Sequence, residues 1–229
     1  MRPRRAFTAL AAASALVLAA CGGGAARSAS PQVLLQKAKA VADRASAVHF
    51  ELSSSNLPTS GTRLVGGEGD LQRPASMRGS FEVATSGFTA TVKVVSVGGV
   101  FEVELPFASH YEKTNPASFG LTDPAQLLSP TNGLTRLLAL ARDPRLGPSQ
   151  RVAGELVDTV DFTVPGRDIP VLPDADPARP VDITAAIDPS NYQLRTVTLV
   201  GPLESATVET TYVLTLSGYD EHVHITLPS

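Results

Sequence analysis

The sequence predicts an α+β fold in which one antiparallel β-sheet curls around a small number of helices. Two observations lead to this prediction. Segments in which apolar and polar residues alternate, as in strands, fill most of the chain beyond residue 48. The leucine-rich stretch Asp123–Arg142 interrupts them and directs apolar side chains to more than one side, which is typical of an enclosed element. We therefore expect a single domain over residues 31–229, with the sheet wrapped around this stretch.

The first thirty residues have the features of an export signal followed by a tether. Three arginines precede an apolar, alanine-rich segment that is too short to span a membrane comfortably. The segment ends in Leu18-Ala19-Ala20-Cys21, which resembles the bacterial lipobox. We expect a signal peptide over residues 1–20, acyl chains attached at Cys21, and a flexible tether over residues 21–30. This predicts a lipid anchor on the extracytoplasmic side of the cell membrane, reached by the general or the twin-arginine export route. The alternative is an ordinary secretory signal with an incidental cysteine.

The charge balance argues against one class of function. The chain has 19 Lys and Arg residues against 22 Asp and Glu residues, and removal of the three leader arginines changes the net charge from −3 to −6. Because no basic patch is present to neutralise phosphates, we expect no nucleic-acid partner. Cys21 is the only cysteine, so no disulfide can form within the chain.

The residues after the tether predict one helix and then a meander of strands. Ser30 can cap a helix that begins with Pro31, and we expect this helix to extend to Val48. Antiparallel strands follow, with a hairpin turn at Gly98-Gly99. The predicted strands cover residues 48–53, 62–71, 77–84, 88–97 and 101–105.

The leucine-rich stretch predicts two helices that meet at Ser129-Pro130. Asp123 can cap the first, with Pro124 at its first helical position. The second is expected to start at Thr131 or Asn132, and its apolar face consists of Leu134, Leu137, Leu138 and Ala141.

Strand patterns resume after this stretch. The predicted strands cover residues 155–164, 181–187, 192–200, 206–216 and 219–227. Between the first two, the segment Pro165–Pro180 contains five prolines and cannot be a continuous strand or helix. We expect a long ordered loop with at most one short turn of helix, and a loop of this length in a compact domain is often functional.

No motif in the sequence predicts catalysis. The chain lacks a nucleophile elbow, a zinc-protease motif, a phosphate loop and a dinucleotide fingerprint, so we expect no catalytic residue and no cofactor. Glu221, His222 and His224 come closest to a metal cluster, since two histidines two residues apart would share one face of a strand. No third ligand on that face is identifiable. We interpret the group as a solvated strand face and expect no metal site.

The order of these parts, together with three short motifs, resembles one known family. The motifs are Asp123–Leu128 (DPAQLL), Thr131–Leu134 (TNGL) and the Val-Val pair before Gly98-Gly99. They resemble the LppX/LprA/LprF/LprG family of actinobacterial lipoproteins, over nearly the whole chain beyond the leader. The resemblance implies a single antiparallel sheet curled into a half-barrel over helices, similar to the LolA and LolB carriers. It also implies an apolar cavity between the sheet and the helices.

The function implied by this resemblance is the binding of acylated lipids, phospholipids or lipoglycans and their carriage across the cell envelope, without catalysis. A lipid-exporting membrane transporter is the candidate protein partner. The resemblance implies a short helix near the cavity mouth. This chain departs from that pattern, because its proline-rich segment 165–180 lies there, and the shape of the mouth and the identity of the ligand stay open. The residues expected to line the cavity are Phe81, Val83, Phe88, Val92, Val94, Phe101, Val103, Leu134, Leu137 and Leu138.

Two other functions stay open at this point. An envelope lipoprotein could have a filled core and act as a protein-interaction module, in which case the same residues form ordinary core. A hydrolase of envelope lipids is the third hypothesis, although no residue pattern supports it.

Overall fold

The structure is a computed structural model that describes residues 29–85, 87–119, 121–169 and 175–228. The predicted signal peptide, Cys21 and nearly all of the predicted tether lie outside these residues. Within them, twelve strands form one antiparallel sheet.

The first half of the sheet is a meander of six strands, which we call the N-terminal leaf. Consecutive strands are hydrogen-bonded neighbours, and the register is regular apart from a shift between Leu64 and Gly66 in β2. The alternating pattern explains the arrangement, because one face of each strand turns inward while the other faces solvent. The strands are β1 (Ala47–Ser55), β2 (Arg63–Gln72), β3 (Ser76–Thr85), β4 (Phe88–Val97), β5 (Val100–Glu104) and β6 (Glu112–Thr114).

The second half, the C-terminal leaf, mirrors this arrangement. Its strands β9 to β12 also pair in sequence order, and β7 and β8 both pair with β9. The strands are β7 (Arg142–Leu146), β8 (Gln150–Val152), β9 (Glu155–Pro165), β10 (Pro180–Ile187), β11 (Leu194–Gly201) and β12 (Thr210–Ser217).

The two leaves join where the first strand meets the last. β1 pairs with β12 from His49 opposite Ser217 to Ser55 opposite Thr211. The resulting strand order is β6-β5-β4-β3-β2-β1-β12-β11-β10-β9-β7, so the sheet is open, with β6 and β7 at its edges. The predicted α+β class and the curved, unclosed antiparallel sheet are confirmed.

Helix α1 (Pro31–Ala42) begins where the sequence predicts, with the Val33 N–H donating to the Ser30 hydroxyl. The prediction that it continues to Val48 is wrong. Val48 lies in β1 and is buried. Strand β1 is hydrogen-bonded to β2 and β12, and this pairing places the Val48 side chain in the core. The helix packs over the C-terminal leaf, against β7 and β9.

The leucine-rich stretch forms a 3₁₀ helix (Pro124–Leu128) and the short helix α2 (Thr135–Ala139). We call residues 123–141 the insert. Its second helix begins later than predicted, because the Gly133 N–H donates to the Ser129 carbonyl and the chain folds back. Only glycine fits there, since a Cβ at position 133 would lie 2.6 Å from the Ser129 oxygen. The 3₁₀ helix contacts β2, β3 and β4, and α2 contacts α1.

Other differences from the sequence prediction lie at the edges of the domain. Strands β7 and β8 are not predicted, because Pro144 and a left-handed Asp143 (φ 48°) disrupt the alternation in β7. The strand predicted over residues 219–227 is absent. The chain turns at Gly218 (φ 57°), and the tail beyond it is held by the Gln72 side chain, which bonds the Val223 carbonyl and the Ile225 N–H.

The proline-rich segment contains a short 3₁₀ turn, Gly166–Asp168, as the sequence analysis allows. Residues 170–174 lie outside the described part of the chain. On either side of them, Ile169 and Ala175 are buried in the main core, so both flanks of the segment pack inward.

Candidate functional site

The candidate site is the place where the insert meets the inner face of the sheet, which we call the apolar seam. It contains a cavity of about 30 Å³. Leu134, Leu137 and Leu138 of the predicted lining contribute to its wall. The rest of the wall was not predicted from the sequence. It consists of Ala42, Val48, Leu71, Leu127, Leu128, Thr135, Phe162, Leu194, Val197, Leu214, Leu216 and Tyr219.

The polar atoms of this wall are already satisfied by the protein. The Thr135 hydroxyl donates to the Asp43 carboxylate at 2.6 Å, and the Tyr219 hydroxyl donates to the Leu194 carbonyl at 2.9 Å. Burial raises the pKa of Tyr219 well above its usual value, so its hydroxyl stays neutral. The seam therefore presents hydrocarbon and no free hydrogen-bonding group to a ligand.

The size of the cavity decides what it can hold without movement. A cavity of about 30 Å³ has room for no more than about two water molecules, whereas an engineered apolar cavity that accepts benzene has a volume of about 150 Å³. An acyl chain therefore enters the seam only if the insert moves away from the sheet.

Polar contacts hold the insert at its rim, around the edge of the cavity. They link it to β4, to α1 and to the proline-rich segment, so the insert touches three parts of the domain. Each contact is a hydrogen bond with at least one charged partner, which contributes roughly 1.5–3 kcal/mol where water is excluded and less at exposed positions. They are Asp123–Ser96 at 2.7 Å, Pro130–Lys39 at 3.1 Å, Thr135–Asp43 at 2.6 Å and Arg136–Asp168 at 3.2 Å.

The other predicted lining residues fall into two groups. Val94, Phe101 and Val103 are buried in the core but do not border the cavity. The inner-facing residues Phe81, Val83 and Val92 are only partly buried, and Phe88 is 58% exposed. This second group lies on β3 and β4 toward the end that the insert leaves uncovered. The lining as a whole stays a prediction.

Two stacked rings continue the wall of the seam toward that uncovered end. Phe50 and Phe81 are parallel to within 27°, with ring centroids 6.0 Å apart. They lie directly against the sheet because glycine occupies the positions beneath Phe81. A Cβ at Gly67 would lie 2.6 Å from the Phe81 ring, and one at Gly79 would lie 3.0 Å from it.

A polar cluster lies at the same end of the central strands. The Tyr212 hydroxyl of β12 donates to the Glu204 carboxylate, which also accepts from the Leu64 N–H of β2 at 3.1 Å. Burial raises the pKa of Tyr212, and the hydrogen bond to Glu204 and its negative charge raise it further. The cluster ties β12 to β2 across the inner face of β1.

The described residues contain no group of three His, Cys, Asp or Glu side chains arranged to hold a metal. His222 and His224 are exposed in the C-terminal tail and do not lie on a strand. Among the helices of the described ranges, none has the length and apolar character needed to cross a membrane.

Comparison with known proteins links this geometry to one family. The sequence model of the LppX_LprAFG lipoprotein family matches residues 30–225. No curated protein sequence matches the chain.

Solved structures give the same fold. LprF from Mycobacterium bovis aligns at a TM-score of 0.69 with 16% identity, over 87% of this chain and 97% of that one. The Mycobacterium tuberculosis lipoprotein LppX aligns at 0.60 with 14% identity, over 86% of this chain and 98% of that one. A LolA superfamily protein from Nitrosomonas europaea aligns over 88% of this chain and 96% of that one, with 12% identity and a TM-score of 0.31, which is below the level of a shared fold.

Proposed function

Because the chain belongs to the LppX_LprAFG lipoprotein family, we propose that it binds acylated lipids in the apolar seam and carries them across the cell envelope. An acyl anchor on Cys21 holds it at the extracytoplasmic face of the membrane. The ligand is an acylated lipid, phospholipid or lipoglycan, and a lipid-exporting membrane transporter is the candidate partner. The protein performs no catalytic step in this function.

The observation that supports the proposal is a continuous apolar wall between two separable parts of one domain. Each methylene group moved from water into such a wall contributes about 0.8 kcal/mol, so a 16-carbon chain gains roughly 13 kcal/mol. The wall offers no polar atom that would oppose the chain, since the hydroxyls of Thr135 and Tyr219 are bonded within the protein. A carrier needs this burial and no reactive group.

The insert is suited to move. Its helices have five residues each, and helices so short depend on packing for their stability. The four hydrogen bonds at its rim together contribute up to roughly 10 kcal/mol, which is still less than the roughly 13 kcal/mol gained from burying one acyl chain. Opening the seam also exposes leucine side chains of the insert, and the acyl chain covers them again.

The closed seam supports a second candidate function. With a cavity of only about 30 Å³, the core is nearly filled, as expected for an envelope lipoprotein that binds another protein and no lipid. The two functions differ in whether an acyl chain accompanies the purified protein.

Native mass spectrometry separates them. The chain lacking residues 1–21 is purified from cells that make the envelope lipids, and under the proposed function it carries non-covalent acylated lipid. Leu134→Trp fills the seam from its rim and should reduce the bound lipid, whereas Leu156→Trp, at a position on β9 that is 55% exposed and outside the seam, should not. A folded protein that never carries lipid would favour the protein-interaction module.

A further inference from the structure

One end of the N-terminal leaf carries exposed apolar side chains. In a meander, the β1–β2, β3–β4 and β5–β6 connections lie at the same end of the strands, which we call the loop end. Phe88 begins β4 there and is 58% exposed, Leu105 directly follows β5 and is 41% exposed, and Phe107 is fully exposed. Leu105 stands beside Val92 on the inner face, because Lys93 pairs with Glu104.

Phe107 has a backbone conformation that is unusual for a bulky residue. Its φ of 70° lies in the left-handed region, in a turn where the Ala108 N–H donates to the Leu105 carbonyl. A residue held in this way costs about 1–3 kcal/mol, so the fold places an aromatic ring in water at a cost. A ring that is exposed on every side becomes buried only in a partner that surrounds it. The fluid hydrocarbon of a bilayer can surround the ring without a matching pocket.

The connections at the loop end also lack acidic, lysine and arginine side chains, and His110 in the third connection lies 3.4 Å from Glu112. No Asp, Glu, Lys or Arg lies between Glu51 and Arg63, between Glu82 and Lys93, or between Glu104 and Glu112. Charged groups are expensive to transfer into hydrocarbon, so their absence suits contact with a bilayer. In contrast, the exposed leucines of the C-terminal leaf, Leu146 and Leu156, directly follow Arg145 and Glu155.

Arg63 directly follows the β1–β2 connection, and its guanidinium is directed onto the backbone. Its guanidinium donates to the Pro58 carbonyl at 3.1 Å and to the Thr85 carbonyl at 3.5 Å. These bonds connect the β1–β2 loop to the β3–β4 hairpin. They hold two of the three connections together as one surface.

From these observations we infer that the loop end rests on the lipid bilayer, with Phe88, Leu105 and Phe107 in its hydrocarbon. The half-buried residues Phe81 and Val92 then continue the apolar surface from the bilayer to the core. The idea that an acyl chain follows this surface into the seam rests on the proposed lipid-binding function. The membrane contact itself does not depend on that function.

Tether length and net charge agree with this placement. Residues 22–28 separate the predicted acyl anchor from the described domain, and at about 3.5 Å per residue they reach roughly 25 Å, so the domain stays near the surface. The full chain has a net charge of −3, and removal of the three leader arginines changes it to −6. Attraction to anionic headgroups therefore does not supply the contact, and we expect it to persist at high salt.

A single tryptophan tests this inference, because the chain contains none. Phe107→Trp places the probe at the loop end, and Leu156→Trp is the matched control at a position 55% exposed on β9. Each full-length, acylated variant is reconstituted into vesicles with and without bromine atoms on the lipid acyl chains. We expect strong quenching and a blue-shifted emission at position 107, at low and high salt, and water-like emission without quenching at position 156.

Unquenched emission at position 107 overturns the inference. Equal quenching at both positions also overturns it, since the anchor alone would then bring the whole domain to the surface. Shielding of position 107 that requires added envelope proteins assigns the patch to a protein partner instead. The same preparations are assayed for non-covalently bound lipid. Quenching without bound lipid would support the membrane contact and contradict the proposed lipid-binding function. Bound lipid without quenching would support the lipid-binding function and contradict the membrane contact.

Discussion

Truncation of Leu137 to alanine tests whether a ligand occupies the apolar seam. Leu137 is 1% exposed and borders the cavity, so Leu137→Ala should destabilise the ligand-free protein by about 2–5 kcal/mol. An acyl chain in the seam can place its own methylene groups in the vacated space. At about 0.8 kcal/mol per methylene group, this recovers roughly 2 kcal/mol. The substitution should therefore cost less in lipid-saturated protein than in delipidated protein.

The assay is urea unfolding of the chain lacking residues 1–21, delipidated or saturated with a long-chain fatty acid. Leu203→Ala is the matched control, because Leu203 is fully buried in the same core but does not border the cavity. Its cost should be the same in both conditions. An equal cost of Leu137→Ala with and without fatty acid would refute the assignment of the acyl chain to the seam.

Three further predictions concern the anchor and two polar groups. The wild-type chain should incorporate an alkyne-tagged fatty acid in cells and Cys21→Ala should not; labelling of the variant would remove Cys21 as the acyl site. Tyr212→Phe should lower the free energy of unfolding by about 1–3 kcal/mol in urea, because the half-buried Glu204 carboxylate loses a donor. Unchanged stability would show that this cluster does not tie β12 to β2. The Ser190 hydroxyl, then its N–H and Arg195, lower the pKa of Asp188, so its stabilisation is present above about pH 4 and is lost as pH falls through the lower folded value. Wild type should thus lose more stability than Asp188→Asn on acidification below about pH 4, and parallel pH profiles would contradict this.

The strands with regular alternation could be predicted from the sequence because alternation is a local property, whereas the short strands β6 and β8 and the irregular β7 could not. β4 (Phe88–Val97) has the bounds that the pattern predicts. The helices were predicted less well. Val48 fits the apolar face of a continued α1, but it is placed in β1 by pairing with Leu71 of β2, far along the chain. The second helix of the insert is shorter than predicted because the chain folds back at Gly133. This fold-back depends on the close approach of the Leu127 and Ser129 carbonyls, which the helical pattern does not reveal.

The wall of the seam was harder to predict than the sheet. Helical spacing marks Leu134, Leu137 and Leu138, which lie on one short segment. Their neighbours Val48, Leu214 and Leu216 lie near opposite ends of the chain and meet because β1 pairs with β12. The inner face of each strand was identifiable from its alternation. The end of that face covered by the insert was not, because coverage depends on tertiary contacts such as Asp123 with Ser96.

Photo-crosslinking with a diazirine-bearing fatty acid tests the central claim most directly, because it reports binding and location together. After irradiation of the chain lacking residues 1–21, the labelled peptides are mapped by mass spectrometry. The account predicts labels on the insert, between Leu127 and Leu138, and on β12 at Leu214 and Leu216. Labels confined to the polar outer face of the N-terminal leaf, around Glu51, Glu68 and Glu82, or an unlabelled folded protein, would contradict it.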